Sequence, residues 1–221
     1  MLKISLQFFG GRGSGSFTAG GATVTMAGGA MGSGGNDMNV AGWTPDAGHK
    51  SVDKAKTVTA VEDRIRDLNH EQLAIVDKNG YVVAAVDGDQ HSVGITPNAA
   101  KYIKGNDVLH NHPNGSTLST TDVITAGRTE CGSISAVSKN ARKTFTLTAG
   151  HKADGAGLAK AMQKDEGKLI GQWQAKIDSM KGKKYSSEAS WKKQVNAHWT
   201  KIMGDWMSTN ASKYGYTYTV K

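Results

Sequence analysis

Two histidines one residue apart, His110 and His112, lie at the end of a short apolar run in a chain of 221 residues. Asp107, Val108, Leu109 and His110 read as a buried strand, and strand side chains alternate between faces. The two imidazoles therefore share a face and can grip one ion from one side. Pro113 holds His112 extended, Asn114 and Gly115 supply turn chemistry, and a helix is expected from Ser119 with Asp122 in its first turn. Two imidazoles and a carboxylate, with a fourth position left for water, match a catalytic zinc site better than a closed structural one. An ion held so lowers the pKa of water toward ~7 and polarises a carbonyl. Each part also has a plainer reading. Ser119 and Asp122 have the spacing of a helix capping box, and a pair of histidines in a loop can simply face solvent. The two readings of Ser119 are compatible, because a capping hydroxyl can also stabilise an oxyanion.

Hydrolysis at such a site needs a general base, and Glu71 is the candidate. It stands immediately before an apolar strand, 72–77, where its side chain can lean over the sheet edge. Glu62, on the preceding helix, competes with it, but its charged neighbours suggest a solvated face. Without the histidine and aspartate cluster, Glu71 itself would read as a surface charge at a helix end.

The elements that must position these residues follow from periodicity. Residues 58–69 place Val61, Ile65 and Leu68 at helical spacing. Residues 72–87 read as a hairpin turning at Lys78 to Gly80. Residues 91–95 are a further strand candidate, and Pro97 opens a short helix. Residues 119–127 are helical, and 134–138 and 144–150 are strands. The expected fold class is α/β, a mixed sheet flanked by helices over 58–150, a size that buries one core. From Gly155 the pattern is helical, with Leu158, Met162, Leu169, Ile170, Trp173 and Ile177 on one stripe and a break near Gly182. A second helix from about Ser187 to Asn210 carries Trp191, Val195, Trp199, Ile202 and Trp206, whose spacing suits core packing better than base stacking. Residues 214–220 alternate like a strand.

Composition sets the context. Hydrophobic residues other than glycine make up 38% of the chain, against an apolar share of roughly 45–50% in ordinary globular proteins that also counts glycine. Residues 10–35 hold 11 of the 28 glycines and read as a flexible tether, preceded by an apolar tip of Leu2, Ile4, Leu6, Phe8 and Phe9. Residues 1–50 are therefore expected to form an arm. The formal charge of +8 is uneven: residues 151–221 hold 13 lysines, no arginine and 6 acidic residues. That asymmetry suggests a basic tail, 151–221, with its own partner. No run is long and apolar enough for a membrane span. The one cysteine, Cys131, excludes an internal disulfide framework and reads as a small buried or half-buried residue, and His91 reads as a surface residue with a spare metal ligand as the alternative. No Walker-type phosphate loop is present.

The pattern of Glu71 before a strand, His110-Asn111-His112-Pro113, and Ser119-Thr120-Thr121-Asp122 resembles the JAB/MPN/JAMM metalloprotease family, with the HNHP segment most similar to its RadC-like branch. The resemblance covers about 58–149. Six residues separate His112 from Ser119, where the family commonly has seven, a shorter loop that bears on substrate fit more than on metal binding. It implies a cytidine deaminase-like α/β fold, Zn2+ held by His110, His112 and Asp122, Glu71 as the base, Ser119 as a stabiliser of the tetrahedral intermediate, and hydrolysis of a peptide or isopeptide amide. Residues 2–16 resemble the start of head or minor structural proteins of phages and prophages of Gram-positive bacteria. That implies a phage context, in the bacterial host cytoplasm with the virion as a second location.

Three functions stay open on this reading. The first is a zinc-dependent hydrolase of a protein or peptide substrate, with the basic tail selecting the partner. The second is a phage morphogenesis or interaction protein that docks on capsid or portal proteins and uses the fold without catalysis. The third is a nucleic-acid-binding protein acting through nonspecific phosphate contact by residues 151–221, although lysine without arginine suits base readout poorly.

Overall fold

The computed structural model describes residues 35–139, 142–180 and 185–221. One seven-stranded mixed sheet runs through it, built from β1 (Asn36–Asp37), β2 (Gln72–Val76), β3 (Val82–Asp87), β4 (Asp107–His112), β5 (Ser133–Ser138), β6 (Lys143–Ala149) and β7 (Tyr216–Val220). Their spatial order is β1-β3-β2-β4-β5-β6-β7. Neighbours pair antiparallel except β4 and β5, which run parallel and are joined by a crossover through helix α3 (Thr120–Thr129).

Two apolar layers sandwich the sheet. Helix α1 (Lys54–Arg66), capped by the Asp53 carboxylate on the Lys56 amide, lays Val61 and Ile65 on one face against Ala74, Val76, Ala85, Leu109 and Val137. The other face carries Leu73, Ile75, Val108, Ile134, Ala136 and Leu147. Against it pack Val123 and Ala126 of α3, Leu158, Met162 and Trp173 of α4 (Gly155–Met180), and Trp199 and Met203 of α5 (Glu188–Asn210). A short helix α2 (Pro97–Ala100) is capped by Thr96. Among the described residues, no helix is long and apolar enough to cross a membrane.

The structure departs from the sequence reading in several places. Helix α1 starts before residue 58, because Asp53 supplies a cap that hydrophobic spacing does not reveal. Residues 91–95 form no strand. The Asp89 carboxylate instead accepts hydrogen bonds from the His91 and Ser92 amides and the Ser92 hydroxyl at 2.7, 2.8 and 3.1 Å, so local bonds replace a ladder. Packing begins well before residue 50. Asn36 and Asp37 pair with β3, Trp43 is buried under a cation–π contact from Arg64, and the Thr44 hydroxyl accepts from the Val82 amide. The apolar tip and most of the Gly-rich stretch lie outside the described residues.

Nor does packing break at residue 150. β7 pairs with β6 along its whole length, and the tryptophans of α4 and α5 sit in the same core as β2 and β5. The described lysines of 151–221 are exposed, so the charge step marks a change of surface and leaves the core continuous.

Candidate metal centre

Strand β4 carries both histidines, and its alternation sorts its side chains. Val108 belongs to the core on the α3 side and Leu109 to the core on the α1 side, so His110 and His112 point with Val108 toward α3. Both rings are buried, and their Nε2 atoms lie 2.9 Å apart. Opposite them, Ser119 caps α3: its Oγ accepts from the Asp122 amide at 3.1 Å, and the Asp122 carboxylate accepts from the Ser119 amide at 2.6 Å. This reciprocal box leaves Asp122 in the first helical turn, where the helix dipole favours a negative charge. It also aims the carboxylate at the histidines, with Oδ1 3.3 Å from His110 Nε2 and Oδ2 3.6 Å from His112 Nε2. One ligand atom from each of the three residues falls within 4.8 Å of the others, and the group could hold a metal ion.

A supporting bond holds the His112 ring by its far nitrogen, as a ligating histidine would require. The Ser116 hydroxyl lies 3.0 Å from His112 Nδ1, and the Ser135 backbone favours the protonated His110 ring. The loop between is set by the Gly115 amide donating to the His112 carbonyl at 2.9 Å. Gly115 has φ of 81°, a left-handed conformation that glycine takes without strain. The Ser138 hydroxyl then donates to its carbonyl at 3.0 Å.

Charge and burial give each group a different protonation preference. Burial, aided by the neighbouring His110, pushes His112 down to about 4, so its ring is neutral near pH 7 and keeps a lone pair for a ligand bond. Burial works against both His110 and Asp122 in their charged forms, but their mutual attraction prevails. His110 is raised by Asp122 and Glu71, and Asp122 is held well below the usual carboxylate range by the two histidines and the Ser119 amide.

No family model, curated protein or solved structure matches this chain. The site is therefore read from its own geometry.

Glu71 has the parity of Leu73, which faces the same side as the histidines and stands opposite His110 in the β2–β4 register. Its side chain is buried, and desolvation pushes its carboxyl up to about 8, opposed by His110 and reinforced by Asp122. Glu62 lies on α1, across the sheet, where it pairs with Arg66 at 3.4 Å. The structure thus brings Glu71, His110, His112, Ser119 and Asp122 into one neighbourhood and leaves Glu62 out of it. His91 is exposed, and Cys131 is buried with its thiol raised to about 11 by desolvation.

Sequence reasoning missed several supporting residues. Asn111 is fully buried between the two histidines and bonds the chain beside Glu71. Its signal was available, since a polar side chain inside a buried strand must find partners. Glu166 of α4 accepts from the Thr120 hydroxyl at 2.7 Å, and Asn196 of α5 donates to the Asn114 carbonyl at 2.6 Å. No local pattern marks those two.

Proposed function

We propose that this chain is a zinc-dependent amide hydrolase of the JAB/MPN/JAMM type, acting on a peptide or isopeptide bond in a phage or prophage setting. The observation that carries the reading is the convergence of His110, His112 and Asp122 within 4.8 Å, on the sheet face that Glu71 shares. Two imidazole nitrogens and one carboxylate oxygen suit zinc, and three protein ligands leave a coordination position open. Zinc in that position would supply Lewis acidity, and its positive charge would favour ionisation of water and of Glu71 near neutral pH.

The chain's own residues supply the rest. Glu71 takes a proton from the attacking water and carries it to the leaving nitrogen, a task suited to a carboxyl whose pKa is set near the working pH. Ser119 uses its oxygen as an acceptor toward the Asp122 amide, which leaves the hydroxyl hydrogen to donate to a developing oxyanion. Asp122 holds its carboxylate in place through the Ser119 amide, and the Ser116 hydroxyl keeps the His112 ring from turning.

The test is metal content by elemental mass spectrometry after zinc loading, alongside a His110→Ala/His112→Ala double variant. About one zinc per chain, lost in the double variant, is expected. No bound zinc in the wild-type protein would sink the reading. With zinc bound, Glu71→Gln should keep the metal and lose turnover of amide substrates.

A further inference from the structure

The peptide groups on either side of Glu71 are held at both ends. Toward β3, the Glu71 amide donates to the Asp89 carbonyl at 2.7 Å and the Gly88 amide donates to the Glu71 carbonyl at 2.9 Å. Toward β4, one side chain does both jobs. Asn111 Nδ2 donates to the His70 carbonyl at 2.9 Å, and Asn111 Oδ1 accepts from the Gln72 amide at 2.7 Å. The β2–β4 pairing runs from Val76↔Asp107 to Leu73↔His110 and stops there. The next rung would join Gln72 to the backbone of Asn111, and the Asn111 carboxamide takes that place. A carboxamide has the donor and acceptor of a peptide group, so it continues the ladder while holding the start of β2 a side chain's length from β4.

We infer that Asn111 is the positioning residue for Glu71: its carboxamide grips the two peptide groups flanking Glu71 and so sets where that carboxyl stands relative to the histidines. The inference rests on the metal-site reading above and adds to it a role for the residue between the two ligands. Asn111 is fully buried, so neither bond can be replaced by solvent without opening the sheet. An aliphatic residue at this position would leave the His70 carbonyl and the Gln72 amide unpaired, and unpaired buried backbone groups are rarely tolerated. The segment ahead of β2 would then have to move to satisfy them, and Glu71 would move with it. His110 and His112 keep their pairing to β5, so the ligand set would stay in place.

The experiment uses the full chain loaded with cobalt(II), whose unpaired electrons displace nearby nuclear resonances according to distance. Carboxyl-13C labelling of glutamate reports five side chains, and Glu71→Gln assigns the Glu71 signal by its disappearance. In the wild type, Glu71 should carry the largest cobalt-induced shift of the five. In Asn111→Ala, the hyperfine-shifted histidine ring signals should persist while the Glu71 shift falls to less than half. Asn111→Ser carries the same test if the alanine variant does not fold. A role limited to stability would lower the melting temperature and leave the Glu71 shift unchanged, and that result in a folded variant overturns the positioning role alone. Failure of the wild type to bind cobalt or zinc overturns the metal-site reading and this inference with it.

Discussion

The pH dependence of folding stability in the metal-free protein tests the burial of Glu71 directly. Its carboxyl moves from an ordinary value of 4.5 to about 8 in the folded chain, chiefly through desolvation. The folded state therefore binds this proton more tightly than the unfolded state. The stabilisation from that proton is complete below pH ~4.5 and is lost as pH rises toward ~8, after which the loss levels off. Between pH 5 and 8.5 the linkage relation gives a loss of roughly 4 kcal/mol from this one group. Against total stabilities of about 5–15 kcal/mol, that is a large fraction. Glu71→Gln removes the ionisation while keeping a side chain of similar size and shape that can still accept a hydrogen bond. His112 and Asp122 titrate in both proteins, whereas His110 is coupled to Glu71, so the difference between the two reports Glu71 together with that coupling. Urea denaturation with a chelator present, at several pH values from 5 to 8.5, should show the wild type losing stability relative to the variant by roughly that amount. Parallel curves over the whole range would refute the reasoning, because a carboxyl that titrates normally is not buried beside Asp122. Saturating zinc should shrink the difference, since a nearby cation favours the carboxylate.

Two further changes probe how the site is held. Ser119→Ala removes the bond to the Asp122 amide and should cost about 1 kcal/mol in urea denaturation; Ser119→Thr should recover most of it, and an unchanged stability in the alanine variant would mean the cap contributes nothing. Trp199 is buried at 1% exposure, edge-on to Trp173 at a centroid distance of 6.2 Å. Trp199→Ala should therefore cost about 3–5 kcal/mol, and a loss below about 1 kcal/mol in the same assay would mean that α5 is an appendage rather than part of the core.

What was legible in the sequence was local. The face shared by His110 and His112 follows from strand alternation, and the reciprocal bonds of Ser119 and Asp122 follow from a three-residue spacing. Both are present in the folded chain. Residues 91–95 show the limit of alternation as a signal: Asp89 takes the amides that a ladder would need, and hydropathy does not record side-chain competition of that kind. The charge step at residue 150 misleads for a different reason. Lysine content reports the surface, whereas the core is built by Leu158, Met162, Trp173 and Trp199, which were visible as stripes but gave no hint of where they dock.

The placement of Glu71 and Glu62 shows how a fold separates residues that spacing leaves together. Both precede β2, and both are glutamates among charged or polar neighbours. Their separation becomes decisive only when α1 is placed on the face of Leu109 and the histidines on the face of Val108. Glu62 then lies across the sheet from His110 and His112, and no side-chain rotation brings it through a layer of paired strands. Glu71 stands where β2 enters the sheet, with the parity of Leu73, and its neighbours Gln72 and His70 are both bonded by Asn111, which lies 39 and 41 positions from them. Contacts at that range have no sequence period. On the function proposed here, which glutamate can serve as base is thus a property of strand order, and any change that shifts the register of β2 against β4 should displace Glu71 from the histidines while leaving its side chain chemically intact.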